Sequence, residues 1–192
     1  MALRMAAKPR KHTAAVESSH EHLKRAADLK RKTRSRKSLS EVRVEYHMPV
    51  VTVGLENLTT TKGLSRAKRT SWKYLVRAHG QLGMVDILER RIGDSFQQLR
   101  IGPSAEKMLR RIKILEKLPK FRQRNYRLQI LRVPALQFSS LWLKGAAKKQ
   151  NAVVPLQSLC KRLKIGRLYD EAVVESVLQV EARRMLSTEP NS

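Results

Sequence analysis

Between Ala105 and Leu118, large or small apolar residues (Ala105, Met108, Leu109, Ile112, Leu115, Leu118) recur at three- and four-residue spacing. That period wraps into one stripe on an α-helix and matches no strand. Pro103 suits the first helical position after Gly102, and Pro119 ends the run. The same stretch is strongly cationic. From Met108 to Arg132 there are nine Lys or Arg and one acid, Glu116. Helical geometry therefore sets Lys107, Arg110, Arg111, Lys113 and Lys117 mostly off the apolar stripe. An ordinary solvated helix intersperses Glu with Lys four residues apart, because like charges at that spacing destabilise it. Here only Glu106 and Glu116 are offered.

The excess is not confined to this helix. The 192 residues hold 41 Lys+Arg against 16 Asp+Glu, a net +25. Residues 1–40 hold twelve bases and three acids, and residues 41–192 hold 29 and 13, so +16 falls on the remainder. A small domain is ordinarily soluble at a net charge of about 2–8. The body must then carry a single-sign region, which repels itself unless a polyanion neutralises it.

Residues 1–40 read as a basic arm with too few large apolar groups for a core. A fraying helix over about 13–31 is compatible with Thr13 as cap and Lys30 and Arg31 at its end. Residues 41–188 read as one α+β domain, with 189–192 as a tail: a β-hairpin, an antiparallel sheet and about three amphipathic helices. "EVRVEYHM" alternates, with Val42, Val44, Tyr46 and Met48 on one face and Arg43, Glu45 and His47 on the other. Pro49 is expected to interrupt pairing, with "VVTVGL" as a further strand. "NLTTTKGLSRAKRTS" reads as a mobile loop, and "WKYLVRAHGQLGMVDIL" as a hairpin whose turn lies between Gly80 and Gly83. "YRLQILRVPALQFSSLWL" is β again, with Pro134 at a kink or between two strands. "VPLQSLCKRLKIG" suggests a short helix from Pro155 to Gly166, and "YDEAVVESVLQVEARRML" a last helix, acidic at its start and basic at its end.

No run approaches the ~20 apolar residues of a membrane-spanning helix. A single cysteine, Cys160, excludes an internal disulfide and a cysteine-rich zinc site. No secretory leader is expected; a presequence-like start is permitted by four bases and no acid over Met1–Val16 but disfavoured by Pro9. A cytoplasmic location is expected, with nuclear or mitochondrial-matrix alternatives in a eukaryote, where "KRKTRSRK" could serve as an address.

Motifs for chemistry are sparse. His12, His20 and His22 read as solvated, and no metal or cofactor is expected. No P-loop, dinucleotide-binding glycine motif or nucleophile elbow occurs. Cys160, between Leu159 and Leu163, reads as a core thiol rather than a nucleophile. Asp86, Glu89 and Asp94 read as salt-bridge partners, and Gly80–Gly83 as a turn rather than a backbone clamp. An enzyme is not the favoured class; it would need a closed pocket lined by Cys160, His79 or paired acids.

The favoured expectation is non-enzymatic, largely sequence-independent binding to the phosphate backbone of RNA or DNA. Three segments would carry it. They are the arm (Lys24, Arg25, Lys30, Arg31, Lys32, Arg34, Arg36, Lys37), the loop (Lys62, Arg66, Lys68, Arg69, with Lys73) and the helix with its sequel (Lys107, Arg110, Arg111, Lys113, Lys117, Lys120, Arg122, Arg124, Arg127). Phe121 and Tyr126 are interleaved and could stack on bases or anchor in the core. One rival is an adaptor whose cationic face docks an acidic protein partner, with Trp72 or Trp142 anchoring an apolar patch. Another is a peripheral binder of anionic lipid through the arm.

Overall fold

The computed structural model describes residues 43–61, 63–78, 81–88, 95–122, 125–147 and 150–188. The arm expected over residues 1–40 and the tail over 189–192 lie outside them.

The α+β expectation holds. Among the described residues the eight strands are β1 (Arg43–Thr52), β2 (Lys68–Ala78), β3 (Gln81–Leu88), β4 (Ser95–Ile101), β5 (Arg127–Val133), β6 (Phe138–Lys144), β7 (Ala152–Gln157) and β8 (Tyr169–Asp170). The four α-helices among the described residues are α1 (Leu55–Leu58), α2 (Pro103–Lys117), α3 (Pro119–Arg122) and α4 (Glu171–Thr188). The strand order is β4-β3-β2-β1-β5-β6-β7-β8. The sheet is mixed, because β1 runs parallel to β5, with Val50 opposite Ile130. The β2–β3, β3–β4, β5–β6, β6–β7 and β7–β8 pairs are antiparallel.

The chain forms two compact units. Of the described residues, one unit holds 43–48 and 71–118, the other 49–70 and 119–188.

In the first unit, β2 and β3 pair antiparallel from Ser71 opposite Leu88 to Ala78 opposite Gln81. Gly83, expected to bracket the hairpin turn, instead sits inside β3 between Val76 and Ile101. The alternation of Trp72, Tyr74 and Val76 with Lys73 and Arg77 suggests a half-solvated pair, but Ser71 to Val76 and Leu82 to Ile87 are buried on both faces. That burial requires a partner for each charge, and Lys73 and Asp86, directly opposite across the pair, form an ion pair. His47, expected on the polar face, is also buried, its ring 6.1 Å from those of both Trp72 and Tyr74. Strand β4 follows only punctuation in the sequence. Its polar "SFQQLRI" carries little β pattern, and pairing with β3 supplies the order. Helix α2 begins at Pro103 as expected and buries Ala105, Met108, Leu109, Ile112 and Leu115.

In the second unit, the core gathers Val51, Val53, Leu58, Leu64, Leu131, Val133, Trp142, Val153, Leu163, Val174 and Leu178. The described residues of the segment expected as a mobile loop are structured. Leu58 and Leu64 anchor it, and the Thr59 and Thr60 hydroxyls donate to the carbonyls of Glu56 and Asn57. Glu175 of α4 accepts the Leu64 N–H at 2.8 Å. Gly63, at φ +41°, lies where a Cβ would collide with that carboxylate, so only glycine admits the contact.

Pro49 does not interrupt β1. The ladder with β5 starts at Val50, so the missing N–H falls just outside it. Pro134 opens a 3-10 turn, and β5 and β6 are two strands of a hairpin. The helix expected from Pro155 to Gly166 is absent. Ala152, Val153 and Val154 extend β7 along β6, and Pro155 sits opposite Ser140 where the register shifts. β-branched pairing outweighs the helical spacing of Leu156, Leu159 and Leu163. Helix α4 starts at Glu171, with Asp170 still in β8, and continues to Thr188, leaving Arg183 and Arg184 one turn short of its end.

Candidate functional site

Helix α2 carries the clearest cationic surface among the described residues. With one side packed inward, Glu106, Arg110, Lys113 and Lys117 fall on a common flank at three- and four-residue spacing. That flank borders an open groove of about 490 Å³, completed by Arg77, Leu82, Leu109 and Ile114. Lys107 is also exposed, and Arg111 is half-buried. The groove thus has four cations, one carboxylate and an apolar floor.

Glu106 lines the groove itself, whereas three other acids are engaged with other groups. Glu116, the one acid of Met108–Arg132, accepts the Tyr46 hydroxyl at 2.9 Å. Burial foremost, then the hydrogen bond and charge of Glu116 and the charge of Glu45, push the Tyr46 phenol well above the ordinary tyrosine range. Glu45 accepts from Arg77 Nε at 3.0 Å, which orients that guanidinium at the groove edge. Asp86 is taken by Lys73. Among the described residues, Arg110, Lys113 and Lys117 have no carboxylate within ion-pair distance.

The other candidates are distributed differently. Arg66 and Lys68 are exposed around the start of β2, and Arg69 is exposed with an interaction of its own. Lys73, grouped with them in sequence, is withdrawn into the β2–β3 ion pair and is not a surface cation. Lys120 is exposed and 3.5 Å from Asp170, and Arg127 is exposed on β5. Lys24, Arg25, Lys30, Arg31, Lys32, Arg34, Arg36, Lys37, Lys62 and Arg124 lie outside the described residues, as does the Arg122 side chain.

The aromatic residues are internal. Phe121 and Tyr126 meet edge to face at 4.8 Å and are buried, which removes them as a base-stacking platform. Trp72 and Trp142 are buried too, so neither is available to anchor an adaptor's partner. Cys160 packs in the core as expected. Burial, with a smaller contribution from Glu181, pushes its thiol up against the lowering effect of Ser158, the reverse of nucleophile activation. His79, Glu89 and Asp94 lie outside the described residues. Among the described residues no three His, Cys, Asp or Glu side chains converge on a common point, and no helix is long and apolar enough to cross a membrane.

Sequence reasoning missed one cationic segment. Lys161, Arg162, Lys164 and Arg167 are all exposed between β7 and β8. Four bases in seven residues are a usable signal, obscured by reading the stretch as part of a helix.

No family model, curated protein or solved structure matches the chain.

Proposed function

We propose that this protein binds the phosphate backbone of nucleic acid without catalysis, and that the α2 groove is a principal contact. The observation that carries the proposal is the Arg110–Lys113–Lys117 row, which lines a groove with a single carboxylate, Glu106, while Glu116, Glu45 and Asp86 are engaged with other groups. Arg and Lys arranged in this way release counterions from a polyanion and position a protein without reading sequence. The internal Phe121–Tyr126 pair favours duplex or structured RNA over unstacked single strands as the target. A reducing, cytoplasmic setting accompanies this proposal, on the single cysteine.

The test is binding of the full chain to RNA and DNA duplexes across a salt series. Affinity is expected to fall steeply with salt, with a log–log slope of about −0.9 per DNA phosphate neutralised. Reversing charge at Arg110, Arg111 and Lys113 is expected to weaken binding on all sequences alike and to flatten that slope, with the thermal unfolding transition retained. A flat salt response, or no binding at low salt, rules the proposal out. Unchanged affinity in a folded triple variant removes α2 as the contact.

A further inference from the structure

We propose that the segment joining β7 to β8, residues 158–168, is a second contact surface for the same polyanion. This rests on the backbone-binding proposal and adds a site in the other compact unit. Lys161, Arg162, Lys164 and Arg167 are exposed, and from Ser158 to Tyr169 the sequence contains no acid. Among the described residues none of the four has an ion-pair partner; Arg167 lies over the Tyr169 ring at 5.5 Å.

The segment is held rather than merely solvated. Cys160 and Leu163 are sunk in the core. The Leu163 N–H reaches the Cys160 carbonyl at 3.0 Å, and the Gly166 N–H reaches the Pro155 carbonyl at 2.8 Å. The Lys164 N–H donates to the Tyr169 hydroxyl at 2.9 Å. Gly166, at φ +82°, makes the reversal between these anchors. A pre-shaped loop loses less conformational freedom on binding than a tail does. Two of its cations are Arg, whose planar fork matches a phosphate.

Leu159 and Ile165, 67% and 54% exposed, stand among these cations. Aliphatic side chains beside phosphate-binding bases can pack on sugars or base edges in a groove. An anionic membrane would also accept cations with aliphatics. Two aliphatics on a short irregular loop are, however, a small insertion surface compared with the apolar face of an interfacial helix. The loop is therefore assigned to nucleic acid.

The experiment compares the full chain with a K161Q/R162Q/K164Q/R167Q variant, and with K161Q/R162Q should the quadruple variant unfold. Each is titrated with a 20-base-pair RNA duplex, a DNA duplex of the same sequence and phosphatidylserine-containing vesicles across a salt series. The expected result is affinity for both duplexes reduced about tenfold or more, with the DNA slope less negative by about 0.9 for each phosphate no longer neutralised. The loss should add to that of the α2 charge reversal. Unchanged duplex affinity in the loop variants, with affinity reduced in the α2 variant, overturns the loop assignment and leaves the proposed function standing. Vesicle binding that depends on the loop, with duplex binding intact, also overturns it in favour of a lipid surface. If the unmodified chain binds neither duplex at low salt, the proposed function fails and the loop assignment fails with it.

Discussion

The Tyr46 hydroxyl donates to Glu116 Oε2 at 2.9 Å across 70 residues of sequence. This hydrogen bond joins the β1 strand to the one acid of the cationic stretch Met108–Arg132. It commits that carboxylate to holding the fold and leaves the Arg110, Lys113 and Lys117 flank net positive.

Tyr46 should therefore report on both stability and pH. Its folded phenol is raised above the unfolded value of about 10, so the folded state holds the proton more tightly. The resulting stabilisation is fully present below about pH 10 and is lost as pH rises through the folded value. Tyr46→Phe is expected to cost about 1 kcal/mol at neutral pH, since the hydrogen bond is to a charged group but only part-buried. The difference in stability between the two proteins should shrink above about pH 10. Urea unfolding at neutral and alkaline pH checks both; a pH-independent difference contradicts the assignment.

Lys73 and Asp86 make a sharper stability prediction. Their side chains are both nearly inaccessible, so removing one takes the ion-pair charge away from a buried group. Asp86→Ala is expected to destabilise by about 3–5 kcal/mol. Replacing both with apolar residues of similar volume, K73M/D86L, should recover most of that loss. Denaturant midpoints for the single and double variants decide it. An equally unstable double variant would mean that strand packing, not charge, is at stake.

Glu171 offers a third test. Its Oε2 accepts from Trp142 Nε1 at 2.7 Å and from Asn151 Nδ2 at 2.6 Å. Asn151 in turn accepts the Gly145 N–H at 2.9 Å, so a small buried network ties β6, β7 and α4 together. Glu171→Ala leaves two buried donors unmatched and is expected to cost about 3 kcal/mol. Glu171→Gln keeps an acceptor oxygen and should cost less. Thermal unfolding with Trp fluorescence is the readout. Equal losses in both variants would contradict a hydrogen-bonding role.

Much of α2 was legible in advance because an amphipathic helix is a local object. Its apolar spacing, Pro103 and Lys117 lie within a single stretch of chain, and burial of Met108, Leu109, Ile112 and Leu115 follows from period alone. The same local reasoning failed where a long-range partner decided the outcome. β4 is ordered by β3, β7 by β6, and the Gly63 turn by Glu175 on α4, each outside the local window. The helix expected after Pro155 failed for this reason, since local spacing competes poorly with an available strand edge.

The sequence by itself determined the charge excess, the α+β class and the cationic flank of α2, because these depend on composition and short-range period. Only the tertiary structure decided which charges remain outside. It buried Lys73 against Asp86, turned Glu116 to Tyr46 and placed Glu171 under Trp142. It also exposed Lys161, Arg162, Lys164 and Arg167 on an anchored loop. The physical reason is that a buried ionic or polar group requires a partner within hydrogen-bonding reach, and partners 13 to 70 residues away in sequence are chosen by the fold.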